Sequence, residues 1–182
     1  ENSLIAARNE ANKGGDDCEE GDEDCDPDLA QSGYGFAAGA VTGLGISYRR
    51  HMANKFGYQI TGIAWGSGDF LFLSVGANFM KTLHATKRTR FMAIAGLSTY
   101  YNGRFEMDWD QCDYDSGLDD PCGNVEEYWD NNVTINIGVG LGMEFMLGDN
   151  IGLALELPIV LMVGSNNFGV YPIPSASLIY YF

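Results

Sequence analysis

From Val133 to Leu147 every odd-numbered residue is apolar, while the even positions are Thr134, Asn136, Gly138, Gly140, Gly142, Glu144 and Met146. A period of two sends successive side chains to opposite faces of a strand, so the two faces of this segment must meet different surroundings. After Gly148-Asp149-Asn150, a tight-turn composition, Ile151, Leu153, Leu155, Leu157, Ile159, Leu161 and Val163 form a second apolar face opposite Gly152, Ala154 and Glu156. Two long alternating strands joined by a short turn commit this part of the chain to an antiparallel sheet.

The pattern extends upstream. Between Tyr34 and Arg49, Phe36, Ala38, Ala40, Thr42, Leu44, Ile46 and Tyr48 share one side; Gly35, Ala37, Gly39, Val41, Gly43, Gly45, Ser47 and Arg49 share the other. Shorter runs at 56–65, 70–80, 90–101 and about 171–182 repeat the scheme, giving seven strands. Two alternatives compete. Leu29 to Tyr48 is uncharged and carries Gly35, Gly39 and Gly43 at GxxxG spacing, as a dimerising transmembrane helix does. Against it, Gly45 continues the period of two, and later segments are too short or too interrupted by Gly and Pro to span as helices. A soluble barrel alternates too, but its apolar face would be the inner one and the glycine-rich face would meet water.

The carboxy-terminal strand is the most specific element. Ala176, Leu178, Tyr180 and Phe182 occupy every second position and end on an aromatic residue. This ending and the alternating strands resemble the small bacterial outer-membrane β-barrels of the OmpA and OmpX type, over about Tyr34 to Phe182. The resemblance implies an all-β, closed, antiparallel, up-and-down transmembrane barrel of about eight strands, with Leu178, Tyr180 and Phe182 as the signal read by the barrel-assembly machinery. An even count puts both termini in the periplasm, so an eighth strand is expected before Tyr34, where Ser3-Leu4-Ile5-Ala6-Ala7-Arg8 is the apolar candidate. Residues 1–33 are read as an N-terminal segment holding that strand and an acidic outer loop, and 34–182 as the barrel, with a long acidic outer loop at 102–131. Pro158, inside a central strand, is expected to mark a bulge or defect.

Charge is laid out in blocks. The net charge is -15, with acids concentrated at Asp16–Asp28 and Glu106–Asp130, and seven of the ten bases (Arg49, Arg50, Lys55, Lys81, Lys87, Arg88, Arg90) beside two connections. Without a basic stripe to neutralise phosphates, nucleic acid is excluded as a partner. Counting strands back from Phe182 puts the basic connections and Gly148-Asp149-Asn150 on the periplasmic side and both acidic blocks at the cell surface. Cys18, Cys25, Cys112 and Cys122 fall as two local pairs inside the acidic blocks, which reads as two disulfides in an oxidising compartment; the spacing is not that of a zinc site. No leader is visible, and Glu1 is read as following a removed one.

Few residues point to chemistry. The two histidines, His51 and His84, fall in expected periplasmic turns, and no nucleophile signature such as GxSxG occurs, so an enzyme is not expected and no catalytic residue is assigned. Glu144, Glu156 and Arg90 are placed on the lumen side as an ion pair that rigidifies the barrel, with a proton or ion path as the alternative. Asp22, Asp24 and Asp26, and Asp108, Asp110, Asp113 and Asp115, interleave carboxylates as oxygen-rich calcium loops do, although neither stretch fits an EF-hand; plain solubilisation is the competing reading, and no other cofactor is implied. The expected function is a non-enzymatic outer-membrane scaffold, set in lipid, whose outer loops or barrel edge bind a protein partner or divalent cations. Alternatives are a narrow channel or transporter for a small or apolar solute, and a subunit of a larger outer-membrane complex.

Overall fold

The computed structural model describes residues 31–107, 127–164 and 168–182. Nine strands follow in order: β1 (Ser32–Gly39), β2 (Gly43–His51), β3 (Phe56–Ser67), β4 (Phe70–Ala85), β5 (Thr89–Met107), β6 (Glu127–Met146), β7 (Ile151–Gly164), β8 (Phe168–Pro172) and β9 (Ser175–Tyr181). Each of β1 to β7 pairs antiparallel with its successor, and β1 closes the sheet on β9 through Gly33↔Tyr181 to Ala38↔Ala176. β8 and β9 are two pieces of one stave, because β8 pairs with Ile159–Val163 and β9 with Ile151–Glu156 along the same edge of β7. The result is a closed, eight-stave antiparallel barrel.

The eighth stave arises differently from the sequence-based expectation. Tyr34–Arg49 is not one long strand; it folds as a hairpin that reverses at Ala40-Val41-Thr42. Closure among the described residues is made by β1 and β9, with β1 starting at Ser32 rather than Tyr34, and the candidate strand Ser3–Arg8 lies outside the described residues. The helical alternative falls with the same observation. The GxxxG glycines serve the hairpin: Gly43 turns with φ of +80°, the left-handed region that glycine enters without penalty.

The barrel is apolar outside and mostly polar inside, where Met80, Met92, Ile94, Val160 and Ile179 are the main apolar exceptions. On β6, Ile137, Val139 and Leu141 are 52%, 60% and 51% exposed, whereas lumen-facing Asn136 and Glu144 are 1% and 0% exposed. That inversion rules out the soluble-barrel alternative, because water would meet a continuous coat of Ile, Leu, Val and Phe. At the end of the barrel holding Ser32 and Phe182, outward Tyr34 stacks on Phe182 at 5.7 Å and meets Tyr48 at 5.0 Å, and Tyr48 meets Tyr58 at 6.0 Å. Such an aromatic girdle suits the boundary between hydrocarbon and headgroups.

We call the end where β1 starts and β9 finishes the terminal end and the opposite one the loop end. Connections at the terminal end are tight: Met52–Lys55, with Lys55 at φ +67°, Thr86–Arg88 and Leu147–Asn150. At the loop end β5 and β6 run 19 and 20 residues and stay paired to Met107↔Glu127, past Arg104, the last β5 residue with a β4 partner. Pro158 does not interrupt β7, which keeps register with β6 through Gly140↔Pro158. The defect appears on the adjoining stave, broken at Ile173-Pro174 opposite Pro158, where Ile173 N donates to the Pro158 carbonyl at 3.1 Å.

Candidate functional site: a charge network in the lumen

Alternation sends Ser47, Arg49 and His51 of β2 inward, and Arg49 becomes the hub of the lumen. Its side chain is fully buried and crosses the interior. One guanidinium nitrogen lies 3.2 Å from Glu144 Oε1 on β6, and the other lies 2.9 Å from Glu156 Oε1 on β7. The same Nη2 donates to Ser177 Oγ on β9 at 2.7 Å, and Nε donates to Gln59 Oε1 on β3 at 2.9 Å. Gln59 passes the chain of bonds to Ser47 Oγ at 2.7 Å. One side chain thus ties five staves together across the barrel.

Glu144 is the second hub. Its Oε2 lies 3.2 Å from Arg90 Nη1 and 3.3 Å from His51 Nε2, and its Oε1 accepts from the Tyr181 hydroxyl. Arg90 also donates to Gln31 Oε1 at 2.6 Å. Two guanidinium groups and two carboxylates stand in mutual contact with every charge compensated, the condition under which buried ions are tolerated. All four are at most 5% exposed.

Above this network the β1–β2 turn folds into the barrel. Val41 and Thr42 are 1% and 2% exposed, and the turn is fastened from four directions. Tyr100 Oη donates to the Gly39 carbonyl at 2.5 Å; Ser98 Oγ and, at 3.0 Å, Asn136 Nδ2 donate to the Ala40 carbonyl. Leu44 N donates to Ser74 Oγ at 2.9 Å, and Thr42 Oγ1 reaches Glu156 Oε2 at 3.5 Å. Gly76 makes room: a Cβ there would stand 2.2 Å from the Thr42 carbonyl oxygen. The lumen is therefore filled twice, by charges and then by a turn.

Sequence reasoning placed Arg90, Glu144 and Glu156 in the lumen; the structure holds Arg90 against Glu144 and gives Glu156 to Arg49 instead. Arg49 and Tyr181 were missed as members of the site, although the alternation that places Ser47 inward places Arg49 inward too. His51 and His84 do not lie in turns. β2 runs through His51, which is 2% exposed inside the barrel, and β4 runs on through His84, past a register irregularity between Thr82 and His84. Leu178, Tyr180 and Phe182 face outward at 51%, 57% and 69% exposure. Cys18, Cys25, Cys112 and Cys122, and the acidic Asp22, Asp24, Asp26, Asp108, Asp110, Asp113 and Asp115, lie outside the described residues. Among the described residues no cluster of three or more His, Cys, Asp or Glu side chains could hold a metal ion.

Eight staves and an apolar coat enclose a packed, mostly polar lumen. This is the architecture of the small outer-membrane barrels. No protein-family profile and no curated protein matches the sequence. Among solved structures, the N-terminal β-barrel domain of Pseudomonas aeruginosa OprF aligns with a TM-score of 0.46 and 11% identity, over 84% of this chain and 95% of that one. The outer membrane protein Ail of Yersinia pestis in a nanodisc aligns with a TM-score of 0.37 and 14% identity, over 84% and 99%.

Proposed function

We propose that this chain is a non-enzymatic bacterial outer-membrane barrel that anchors surface segments and does not conduct. The observation that carries this reading is Arg49 spanning the lumen between Glu144 and Glu156, with the Val41-Thr42 turn packed above it. A pore requires a continuous polar path. Here the lumen-facing charges are in contact with one another, as expected of an eight-stave barrel whose interior is just wide enough for its side chains.

The orientation proposed places the terminal end in the periplasm and the loop end at the cell surface. Tight turns at the terminal end and the projecting β5–β6 hairpin at the other support it, since short periplasmic turns and long surface loops are the rule for such barrels. On this reading the acidic segment between β5 and β6, with its cysteines as a disulfide, is the part that meets a protein partner or divalent cations. Planar-bilayer recording of the detergent-refolded protein, identified by a compact gel band that shifts on boiling, tests the proposal. No conductance above the bare membrane is expected. Steady single-channel current from heat-modifiable protein would overturn it. Deleting residues 108–126 should leave the heat-modifiable band intact and abolish capture of calcium or partner.

A further inference from the structure

The β1–β2 hairpin is short, and its shortness opens the wall. β3 loses β2 as a partner after Ile46↔Gly62 and then runs from Ile63 to Ser67. β8 is paired along Ile159–Val163 of β7. Among the described residues no strand pairs with Ile63–Ser67 on the β2 side or with β8 on the side away from β7. The result is a notch of two missing staves, roughly 14 Å across at about 4.8 Å per inter-strand spacing. Five residues of tilted strand make it roughly 12 Å tall. Its floor is the buried turn at Val41.

The lumen-facing residues beside the notch are more aromatic and far more exposed than those below. Cross-strand pairing puts Ile63 with Ser74 and Trp65 with Phe72 on the inner face; Tyr100, Met162 and Tyr171 follow by register around the barrel. Phe72 and Tyr100 meet at 6.3 Å between ring centroids. Trp65 and Tyr171 are 64% and 53% exposed although they face inward, so this half of the lumen is open. A mouth filled with water alone would be lined by polar residues, as the interiors of membrane barrels ordinarily are. Here Asn102, Asn132 and Thr134 keep the β5–β6 wall polar, but the wall nearer the notch carries Ile63, Trp65, Phe72 and Tyr171 with Ser74, and through the notch it is continuous with the apolar coat.

An added β-strand is the competing occupant, and the backbone argues against it. Because Ile173 N points to β7, the nitrogens of its neighbours Pro172 and Pro174 face the notch, and neither carries a hydrogen. The two prolines remove the donors at the foot of this edge and leave only Val170 and Phe168 of β8 able to donate to an added strand. The remaining edge groups of β3 and of Val170 and Phe168 on β8 rise towards the loop end, where lipid ester carbonyls and water can meet them.

We propose that the loop half of the lumen holds an acyl chain of an outer-leaflet lipid, entering sideways through the notch between β3 and β8. This rests on the membrane placement proposed above. The test uses the full chain with Trp109→Phe and Trp129→Phe, leaving Trp65 as the sole tryptophan, refolded into phosphatidylcholine vesicles whose acyl chains are brominated near mid-chain. A Leu73→Trp reporter in a Trp65→Phe background points outward at the same height and reads ordinary lipid contact. Bromolipid is expected to quench Trp65 nearly as strongly as the Leu73→Trp reporter, with little quenching by aqueous acrylamide. Met162→Arg, or Ile63→Arg should that variant fail to fold, is expected to abolish the Trp65 quenching and leave the outward reporter unchanged. Strong acrylamide quenching without bromolipid quenching would overturn the proposal in favour of a water-filled mouth, and protection from both quenchers would overturn it in favour of a protein cover. An unquenched outward reporter would overturn the membrane placement itself.

Discussion

The two halves of the lumen are built by the same alternation and end up with different contents and different exposure. In the terminal half, Arg49, Arg90, Glu144 and Glu156 are at most 5% exposed and bonded to one another. In the loop half the inward positions carry Trp65 and Tyr171, more than half exposed. The cause is the height at which staves stop. Where all eight are present the interior closes and excludes water, so charges must find partners there. Above the Ala40–Thr42 turn two staves are gone, and the inner face becomes an open surface. Period two tells which side chains face inward; the lengths of neighbouring strands decide what inward means.

The largest expected effect breaks the terminal half. Glu144→Ala leaves Arg49 and Arg90 without a shared carboxylate and should cost about 3–5 kcal/mol, the range for removing one member of a buried ion network. The urea midpoint of the detergent-folded barrel, read as loss of the compact gel band, measures it. A loss below about 1 kcal/mol would mean that the network tolerates an unpaired charge and that packing alone carries this half. Glu144→Gln, which keeps the shape and a hydrogen-bonding side chain, should cost less than Glu144→Ala.

Next in size is the boundary between the halves. Gly76→Val puts a side chain where a Cβ alone would come 2.2 Å from the Thr42 carbonyl oxygen, which is backbone and cannot swing aside. Overpacking of this kind costs about 1–3 kcal/mol. Displacing the turn should also speed hydrogen exchange at the Leu44 amide, now held by Ser74 Oγ at 2.9 Å. Unchanged exchange at Leu44 would show that the turn is not held by this contact. A smaller loss, about 0.5–1.5 kcal/mol, is expected for Ser98→Ala, because Asn136 still donates to the Ala40 carbonyl.

That turn is also where the sequence was hardest to read. The staves from Phe56 onward were legible because lipid and lumen impose different residues on alternate positions. The reversal at Ala40-Val41-Thr42 was not, for a physical reason. Surface turns announce themselves with Asn, Asp and Pro, which bond their own backbone or preset the turn dihedrals and whose polar groups water can meet. This one is buried inside the barrel, so it is built from Ala, Val and Thr and preserves the period of two across the bend. The glycines at 39 and 43 were visible, but a crowded strand and a reversal use the same residue. Arg49 was hidden by its neighbour: beside Arg50 and His51 it read as turn charge, whereas its parity with Ser47 placed it in the lumen. The notch could not be read at all, since it depends on which staves end early.

The smallest expected effect sharpens the comparison from the loop half. Trp65→Ala and Tyr171→Ala remove large side chains that are mostly exposed, so in detergent each should change unfolding stability by no more than about 0.5 kcal/mol, the range for substitutions away from buried contacts. Measured beside Glu144→Ala in the same assay, they compare two inward-facing sets directly. If Trp65→Ala matched Glu144→Ala in cost, the loop half would be a packed core like the terminal half and the contrast would fail. A near-zero effect in detergent with a measurable loss in lipid vesicles would locate the aromatic lining's partner in the membrane, because detergent and bilayer differ in what they can supply at the notch while the protein's own contacts are the same in both.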